Sequence, residues 1–206
     1  MAVMLDKSGL LLALSMGVII AFFGGLEYLA IMLVFLFSAV AVTKYENQKK
    51  KEMGIYEHER SWENVFSNGL LPTLLAVFSS LIGSPFPYLA AVAAVNADKF
   101  ASEIGVLSGN PVYLGSFMQV RAGKSGAVSI LGFVASLVGG TVIGFAALFI
   151  FNSSPEEALF IGIAGFIGSI IDSVFGIFEE MGIGTKGTTN FICSLAGAVI
   201  GYYFIR

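Results

Sequence analysis

The amino-acid sequence predicts an all-α, polytopic membrane protein with about seven transmembrane helices and an active face on the cytoplasmic side. The prediction depends on the composition, on the spacing of the apolar runs and on the placement of the basic residues. Apolar residues make up 56% of the 206-residue chain and charged residues 12%, about half of the charged share in soluble domains. With a mean hydropathy of +0.86, a soluble domain of this length could not bury its apolar surface.

The composition excludes several classes of protein. So few charges and so many apolar residues are not typical of a soluble enzyme or of a disordered chain. The net charge of -3 provides no basic surface for nucleic acid, so we expect no nucleic-acid partner. The single cysteine, Cys193, cannot form a disulfide within the chain. We therefore expect a single transmembrane domain over residues 1–206, surrounded by the lipid bilayer.

Seven apolar runs approach or reach the roughly 20 residues that a membrane-spanning helix needs. The first two are short and share the turn Gly24-Gly25-Leu26. A single helix across both would be roughly 50 Å long, and the paired glycines disfavour it, so these runs predict a helical hairpin. The seven runs cover residues 8–24, 27–43, 64–82, 87–106, 126–151, 156–178 and 189–205.

The basic residues predict the orientation of these helices. Nine of them fall on one side of the predicted bundle, and only Arg206 falls on the other. The positive-inside rule then places the N-terminus and the three longer loops in the cytoplasm. Residues 44–63 are expected to form a charged loop or a surface helix, in which the basic run 49–51 would bind anionic lipid. Residues 107–125 are expected to form a loop that could include a small hairpin around Gly115-Ser116.

Small residues recur at four-residue spacing in three of the runs. In lipid, this spacing allows helix backbones to approach each other closely. We interpret the small residues as packing positions. They are Ala97, Ala101 and Gly105, then Ser136, Gly140 and Gly144, then Gly197 and Gly201.

Ionisable side chains interrupt two of the apolar runs. Asp98 and Lys99 lie in the fourth run and Asp172 lies in the sixth. A charge in the bilayer core costs about 2.5–3.5 kcal/mol on insertion scales, so such groups usually face a cavity or a partner. Counted from the cytoplasmic ends of their runs, Asp98 and Asp172 both lie about 10 Å deep. The two runs point in the same direction, so we expect the carboxylates to form a functional site or a structural contact between helices.

Helical spacing also assigns neighbours to these groups. Asp98 and Ser102 are four residues apart and share one helix face. Lys99 and Glu103 have the same spacing and can form an ion pair within the helix. That pair either has a functional role or is a snorkelling ion pair, whose charged groups extend to the membrane interface.

Glycine-rich polar segments follow both acids, at residues 121–129 and 182–190, and we expect each to open a helix. Helix N-termini present free N–H groups and a positive dipole end, and glycine allows an anion to approach the backbone. Carboxylates beside such groups suit Mg²⁺, which takes one or two carboxylates together with phosphate oxygens and water. The pattern therefore predicts a magnesium–nucleotide or pyrophosphate site. Its polar residues are Lys124, Ser125, Ser129, Lys186 and Asn190, with Asn68 at the entry to the third run.

Three other features carry less information. The segment Gly123-Lys124-Ser125 is similar to the end of a Walker P-loop, but that motif needs glycine at position 118, which is Met118, and a preceding buried strand. His58 has no metal-ligand partners near it in sequence, so we expect it to be solvated. Cys193 lies in an apolar run and is interpreted as a packing residue.

Three blocks of the sequence resemble the phytyl-phosphate kinase family of integral membrane proteins. They are residues 96–105 (Asn-Ala-Asp-Lys-Phe-Ala-Ser-Glu-Ile-Gly), 124–132 (Lys-Ser-Gly-Ala-Val-Ser-Ile-Leu-Gly) and 168–176 (Gly-Ser-Ile-Ile-Asp-Ser-Val-Phe-Gly). The resemblance also includes Arg60, Asn68-Gly69 and Thr189-Asn190, so it extends from Arg60 to the C-terminus. The family is similar, more distantly, to dolichol kinase and phytol kinase. Asn96 and residues 175–180 depart from the family's usual pattern.

The resemblance implies an activity. The γ-phosphoryl group of CTP, or of another nucleoside triphosphate, would be transferred to an isoprenyl monophosphate such as phytyl or geranylgeranyl phosphate, giving the diphosphate. Mg²⁺ would be bound by Asp98 and Asp172 together with Glu103. Such a transfer depends mainly on positioning and charge neutralisation, so it needs no serine or cysteine nucleophile.

The resemblance also implies which residues would bind the phosphate groups. The triphosphate would be held by Arg121, Lys124, the N–H groups of Ser125 and Gly126, and the hydroxyl-bearing neighbours Ser102 and Ser129. Lys99 or Lys186 would hold the acceptor phosphate. Asn68 and Asn190 would line the site.

Three alternative functions remain open at this point. A CTP-dependent kinase of the free prenyl alcohol would need a general base, and Asp98 could serve. A cytidylyltransferase that makes a CDP-lipid would use the same nucleotide and lipid phosphate but would release pyrophosphate. A small ion-coupled transporter would use the paired acids but would need polar groups at mid-membrane on further helices.

Overall fold

The protein is described here from a computed structural model, which covers residues 4–54, 59–60 and 62–204. Over these residues the chain forms nine helices and five two-residue strands. The helices are α1 (Lys7–Phe23), α2 (Leu26–Lys44), α3 (Asn47–Glu52), α4 (Trp62–Val77), α5 (Ser79–Ile82), α6 (Phe86–Gly105), α7 (Ile130–Ile150), α8 (Pro155–Glu180) and α9 (Lys186–Tyr203). The strands are β1 (Met4–Leu5), β2 (Glu59–Arg60), β3 (Val112–Tyr113), β4 (Met118–Gln119) and β5 (Ala127–Val128).

The predicted all-α class is confirmed, and each of the seven predicted apolar runs contains a long helix. Three boundaries were wrong. The third run is divided at Phe78 into α4 and the short α5. The fifth helix starts at Ile130 rather than at residue 126, because a strand and the N-cap Ser129 precede it. The seventh helix starts at Lys186, three residues earlier than predicted, because the Thr185 side chain caps it there.

The first two runs form the predicted hairpin. Helix α1 ends at Gly24, and Gly25 has a φ of 97°, a conformation that L-residues other than glycine rarely adopt. At the other end of α1, the Asp6 carboxylate accepts a hydrogen bond from the Gly9 N–H at 2.5 Å and caps the helix. The paired glycines therefore break one long apolar stretch into two antiparallel helices.

Three helices in the described ranges are long and apolar enough to cross a bilayer by length and composition alone. They are α2, α7 and α8, and α1 is a shorter apolar helix of 17 residues. The outer faces of these helices present large apolar side chains, such as Phe22, Phe37 and Phe149, which are 80%, 68% and 71% exposed. Exposed side chains of this kind fit a lipid environment rather than water.

Helix α6 is the centre of the bundle. Every residue from 87 to 97 is buried, including the alanine-rich stretch of the helix. Helices α7, α8 and α9 pack around it, and α2 and α4 cover the remaining sides. A helix that is apolar and small on nearly all faces is typical of a buried position in a helix bundle.

Glycines bring the helices around α6 into backbone contact, as the four-residue spacing predicted. A Cβ on Gly201 would lie 2.5 Å from the carbonyl oxygen of Phe86, and one on Gly165 would lie 2.8 Å from the Ala93 backbone. Where α7 faces α8, a Cβ on Gly144 would overlap the carbonyl oxygen of Ala158. These contacts leave no room for a side chain, so they set the distances between helix axes.

Aromatic side chains connect the helices at one end of the bundle. The Tyr88 hydroxyl donates to the Tyr28 carbonyl oxygen at 2.6 Å. The Tyr28 ring lies 4.6 Å from the Tyr88 ring and 5.3 Å from the Phe151 ring, measured between centroids. This cluster joins the start of α2 to the start of α6 and the end of α7.

The opposite end, where α6 and α8 finish and α7 and α9 begin, is called the loop end here. It carries residues 106–129, in which β3 pairs in antiparallel fashion with both β4 and β5. The predicted hairpin around Gly115-Ser116 is therefore present and has a third strand. On the far side of α4, β1 pairs in parallel with β2 and connects the start of the chain to the residues before α4.

Replacement of Gly144 by alanine should lower the free energy of unfolding by about 1–3 kcal/mol, because the new methyl group would force α7 away from α8. The matched control is Gly109→Ala, since a Cβ at Gly109 would meet nothing within 4 Å. Thermal unfolding in detergent measures both. Equal melting temperatures for the two variants would contradict the close contact between α7 and α8.

Candidate functional site

A polar cleft of about 150 Å³ opens at the loop end of the bundle. Its walls come from α6, α7 and α8, from the loop 122–129 and from the start of α9. Its polar lining consists mainly of predicted residues. These are Asp98, Ser102, Lys124, Ser125, Ser129, Asp172 and Lys186, joined by Ser136, Ser169 and Ser173.

Asp98 and Asp172 meet in this cleft, as their matching depth predicted. Both side chains line the same cleft, and the Lys186 side chain lines it with them. Lys186 Nζ lies 2.8 Å from Asp172 Oδ2, and the Asp172 side chain is 6% exposed. The second oxygen of Asp172, Oδ1, is buried and has no hydrogen-bond partner in the described ranges. Asp98, Asp172 and Lys186 together have a formal net charge of -1, and the other lysine of the lining, Lys124, is paired with Glu180, so the cleft favours a further cation.

The packing of α6 against α8 explains why the two acids meet. One turn before each aspartate stands a small residue, Ala94 on α6 and Gly168 on α8. A Cβ on Gly168 would lie 2.5 Å from the Ala94 Cβ, so the two helices are as close as side chains allow at that level. Residues four apart share a helix face, and therefore Asp98 and Asp172 project from the same contact one turn nearer the loop end.

Two further buried oxygens near the loop end lack a partner among the residues that the structure describes. They are Ser136 Oγ, in the wall of the cleft, and Asn190 Oδ1. The Asn190 side-chain amide donates to Ser67 Oγ at 3.4 Å and so joins α9 to α4. Sequence reasoning missed Ser136 as a site residue, because its four-residue spacing with two glycines indicated only packing.

The glycine-rich loop bends over the cleft, and its last residue, Ser129, opens a helix as predicted, whereas its glycines lie in turns before that helix. Gly123 and Gly126 have φ angles of 91° and 73°, and Gly126 packs directly against the Gly176 backbone of α8. Strand β5 and Ser129 follow before α7 begins. Ser129 Oγ caps that helix by accepting from the Gly132 N–H at 3.0 Å. The N–H groups of the loop are therefore presented by turns.

A carboxylate of the chain itself occupies the anion-binding groups of this loop. The Ser125 N–H donates to Glu180 Oε1 at 3.1 Å, and Lys124 Nζ lies 3.8 Å from Glu180 Oε2. The Lys124 ammonium also lies 4.1 Å from the centroid of the Tyr113 ring. The contact with Glu180 has a sequence separation of 55 residues, so no local pattern indicated it.

Glu103 lies in a different cluster from the two aspartates. Its carboxylate accepts from Thr43 Oγ1 at 2.9 Å, and it forms ion pairs with Lys99 at 2.7 Å and with Lys50 at 2.9 Å. The pair with Lys99 was predicted from the four-residue spacing. The prediction for Lys50 was wrong, because its side chain is buried instead of facing lipid, and it also donates to the Val42 and Thr43 carbonyl oxygens.

The other predicted residues have varied positions. Arg121 is exposed on the loop and is not part of the cleft lining. Asn68 donates to the Asn64 carbonyl and side-chain oxygens at 2.8 and 3.0 Å, away from the cleft. The Asn96 side chain is buried and donates to the Gly139 carbonyl oxygen at 2.8 Å, so this departure from the family's pattern serves helix packing.

Three residues named from the sequence remain. Cys193 is buried, with its sulfur 3.4 Å from the Ala94 carbonyl oxygen, as expected for a packing residue. The prediction for His58 lies outside the described residues. Of Arg60, only the backbone in β2 is described.

The donor set of the cleft fits magnesium that is bound together with a phosphorylated ligand. In the ranges that the structure covers, no group of three or more histidine, cysteine, aspartate or glutamate side chains could hold a metal alone. Mg²⁺ does not need such a group, since it is usually bound by one or two carboxylates with phosphate oxygens and water completing the shell. The buried, unpartnered Oδ1 of Asp172 beside Asp98 matches that requirement.

These features define an all-helical integral membrane protein with a charged cleft at one end. The chain belongs to the DUF92 family of integral membrane proteins, whose model matches residues 1–198. This membership is consistent with the resemblance to phytyl-phosphate kinases found in the sequence.

Similar proteins come from an archaeon, a plant and a cyanobacterium. The chain is 34% identical to an uncharacterised membrane protein of Methanocaldococcus jannaschii, over 96% of this chain and 84% of the relative. It is 28% identical to Protein PGR of Arabidopsis thaliana, over 88% of this chain and 72% of that protein. A further uncharacterised membrane protein, from Synechocystis, is 30% identical over 78% of this chain and 66% of its own length. No solved structure matches the chain at a significant level.

Removal of the Lys50 charge should destabilise the protein, because Lys50→Met would leave the partly buried Glu103 with one cation fewer. Loss of one partner of a buried pair costs about 3 kcal/mol at the low end of the usual range. The exposed Lys49→Met is the matched control. Chemical unfolding in detergent measures the difference, and the double variant Lys50→Met/Glu103→Gln should recover part of it. Equal stability of Lys50→Met and Lys49→Met would show that the buried pair does not contribute.

Proposed function

We propose that this protein is a membrane-embedded kinase that transfers the γ-phosphoryl group of CTP to an isoprenyl monophosphate. Phytyl and geranylgeranyl phosphate are the proposed acceptors, and the products are the prenyl diphosphate and CDP. The observation that carries the proposal is the meeting of Asp98, Asp172 and Lys186 in one cleft beside a glycine-rich loop. Family membership and the resemblance of the sequence blocks support the same assignment.

The proposal includes the arrangement in the membrane. Seven helices (α1, α2, α4, α6, α7, α8 and α9) would span the bilayer, with the loop end on the cytoplasmic side. The excess of lysine and arginine in the segments at that end supports this orientation. The cleft would then open to the compartment that supplies nucleoside triphosphates, while the acceptor would approach from within the lipid.

Asp98 and Asp172 are the proposed magnesium ligands. Bound Mg²⁺ would neutralise charge on the triphosphate and draw phosphate oxygens toward the aspartates. Glu103 is left out of this set, since both of its oxygens are already bound by cations and a hydroxyl group. Lys186 would then exchange its contact with Asp172 for a contact with a phosphate oxygen.

The remaining lining groups would position the donor. Lys124 and the Ser125 N–H are the proposed ligands of the triphosphate, because their contacts with Glu180 already indicate affinity for an anion. In the transfer, a nonbridging oxygen of the acceptor phosphate forms a bond to the γ-phosphorus, and the bond to the β-bridging oxygen breaks. The electron pair of that bond leaves with CDP. A phosphate oxygen carries negative charge near neutral pH, so no general base is required.

The decisive experiment uses the purified full-length protein with γ-labelled CTP, Mg²⁺ and geranylgeranyl monophosphate. We expect labelled geranylgeranyl diphosphate and free CDP. Release of pyrophosphate with formation of a CDP-lipid would instead identify a cytidylyltransferase. Transfer to geranylgeraniol but not to its monophosphate would identify an alcohol kinase. Absence of nucleotide turnover, with ion-dependent flux in liposomes, would identify a transporter.

The variants Asp98→Asn and Asp172→Asn should each lower kcat at least a hundredfold, since each removes one of two charged metal ligands. The matched control is Glu156→Gln, an exposed carboxylate at the opposite end of the bundle. The same labelled-transfer assay measures all three. Near wild-type turnover in either aspartate variant would overturn the metal assignment.

Glu180→Gln should lower the KM for CTP several-fold, because Glu180 competes with the triphosphate for Lys124 and the Ser125 N–H. The matched control is Glu157→Gln at the opposite end of the same helix. Initial rates at varied CTP concentration provide the measurement. A raised KM would show instead that Glu180 holds the loop in its binding conformation.

A further inference from the structure

A second cavity, of about 130 Å³, lies where α1, α2 and α4 face α6. It is enclosed by α1, α2 and α4 and reaches α6 only at Lys99. Its lining along α1 and α2 is apolar, with Met16, Ile20 and Phe35 among the contributing side chains. The cavity therefore suits hydrocarbon rather than a nucleotide.

The polar groups of this cavity are gathered toward one end. Asn64, Asn68 and Lys99 lie near the ends of their helices at the loop end of the bundle. Thr73, deeper along α4, turns its hydroxyl back to the Gly69 carbonyl oxygen at 2.8 Å and so presents little polarity. A hydrocarbon chain with a polar head would match this arrangement, with the head at the lysine.

The polar end adjoins the cleft. Lys99 follows Asp98 directly on α6, and the two side chains line different cavities. Ser67, next to Asn68 on α4, lies against Gly187, which follows Lys186. Consecutive residues of a helix point only about 100° apart, so a phosphate at Lys99 would lie beside the proposed metal site rather than behind the helix.

The cavity also reaches the surface of the bundle. Leu33 and Leu36 of α2 belong to its lining and are 40% and 37% exposed. Helix α1, which forms the facing wall, packs mainly on α4 and more loosely on α2. A chain could therefore enter sideways from lipid between α1 and α2.

We propose that this cavity binds the hydrocarbon chain of a single-chain isoprenoid monophosphate, with its phosphate at Lys99. Lys99 would exchange its contact with Glu103 for a phosphate oxygen, since Glu103 keeps the second cation Lys50. The inference rests on the proposed function for the identity of this acceptor. A cavity of about 150 Å³ holds one benzene molecule, so a cavity of this size takes only a short stretch of one chain. The units nearest the phosphate lie inside, and the remainder of the chain extends between α1 and α2 into lipid.

The test is photolabelling of the full-length protein, without nucleotide, by geranylgeranyl monophosphate that carries a diazirine on its first isoprene unit. Adducts mapped by mass spectrometry should fall on the facing residues of α1, α2 and α4. Unlabelled geranylgeranyl monophosphate should abolish them, whereas dioleoyl phosphatidic acid should not. Adducts confined to outer surfaces such as Phe145 and Phe149 of α7, or equal competition by phosphatidic acid, would overturn the inference.

A filled cavity provides the second measurement. Gly17 belongs to the lining, and a Cβ there would meet only the Leu29 side chain, at 3.7 Å, so Gly17→Leu should fill the space without disturbing the backbone. The photolabelling should fall at least fivefold in Gly17→Leu. The matched control is Val18→Leu on the exposed outer face of the same helix, and it should label like the wild type.

Kinetics separate this inference from the proposed function. In Gly17→Leu, the KM for geranylgeranyl monophosphate should rise at least fivefold, with the KM for CTP unchanged. An unchanged acceptor KM together with unchanged labelling would refute the chain site but leave the kinase assignment standing. Cavity labelling without any phosphoryl transfer in the wild type would support the chain site and refute the kinase assignment.

Discussion

The contact between α6 and α8 one turn before the two aspartates is the constraint on which the site depends. Ala94 and Gly168 bring the two helices together, and the next turn of each carries an aspartate. Two like charges at this separation repel in a partly apolar surrounding, and Lys186 offsets only one of them. Helix packing, driven by small residues, thus holds together two groups that would otherwise separate. The remaining negative charge is one ground for the proposal that the cleft binds a cation together with a phosphorylated ligand.

A second network stabilises the same end of the bundle without entering the cleft. The Lys50 ammonium donates to the Val42 and Thr43 carbonyl oxygens at the end of α2 and to the Glu103 carboxylate on α6, so it connects the two helices. Helix α3, in the segment predicted to be a cytoplasmic loop or surface helix, is therefore attached to the central helix α6 through Lys50. The acids thus fall into two clusters. Glu103 is paired with two lysines, which indicates a structural role, whereas Asp98 and Asp172 share the single Lys186 and keep an unbalanced negative charge.

Regular helix geometry explains what the sequence could predict. Equal distances from the ends of two parallel runs place Asp98 and Asp172 at the same level, since the rise per residue is constant. The four-residue spacing likewise predicted the pair of Lys99 and Glu103. Long-range contacts could not be predicted in this way, because the partners of Lys50 and Glu180 lie 53 and 55 residues distant. The helix start predicted at Gly126 was four residues too early, because a glycine-rich composition equally suits a helix start and a turn that precedes a strand.

The adjacency of Asp98 and Lys99 has a consequence for how the chain can change in length. Successive residues on a helix differ in direction by about 100°, and this angle alone assigns the two side chains to separate cavities. Insertion or deletion of a single residue between Phe86 and Asp98 would turn the acid away from Asp172 and point a lysine or an alanine into the charged cleft. Only changes by a whole number of turns would preserve both orientations, and they would shift the acid along the axis instead. The length of this half of α6 is therefore fixed by its chemistry.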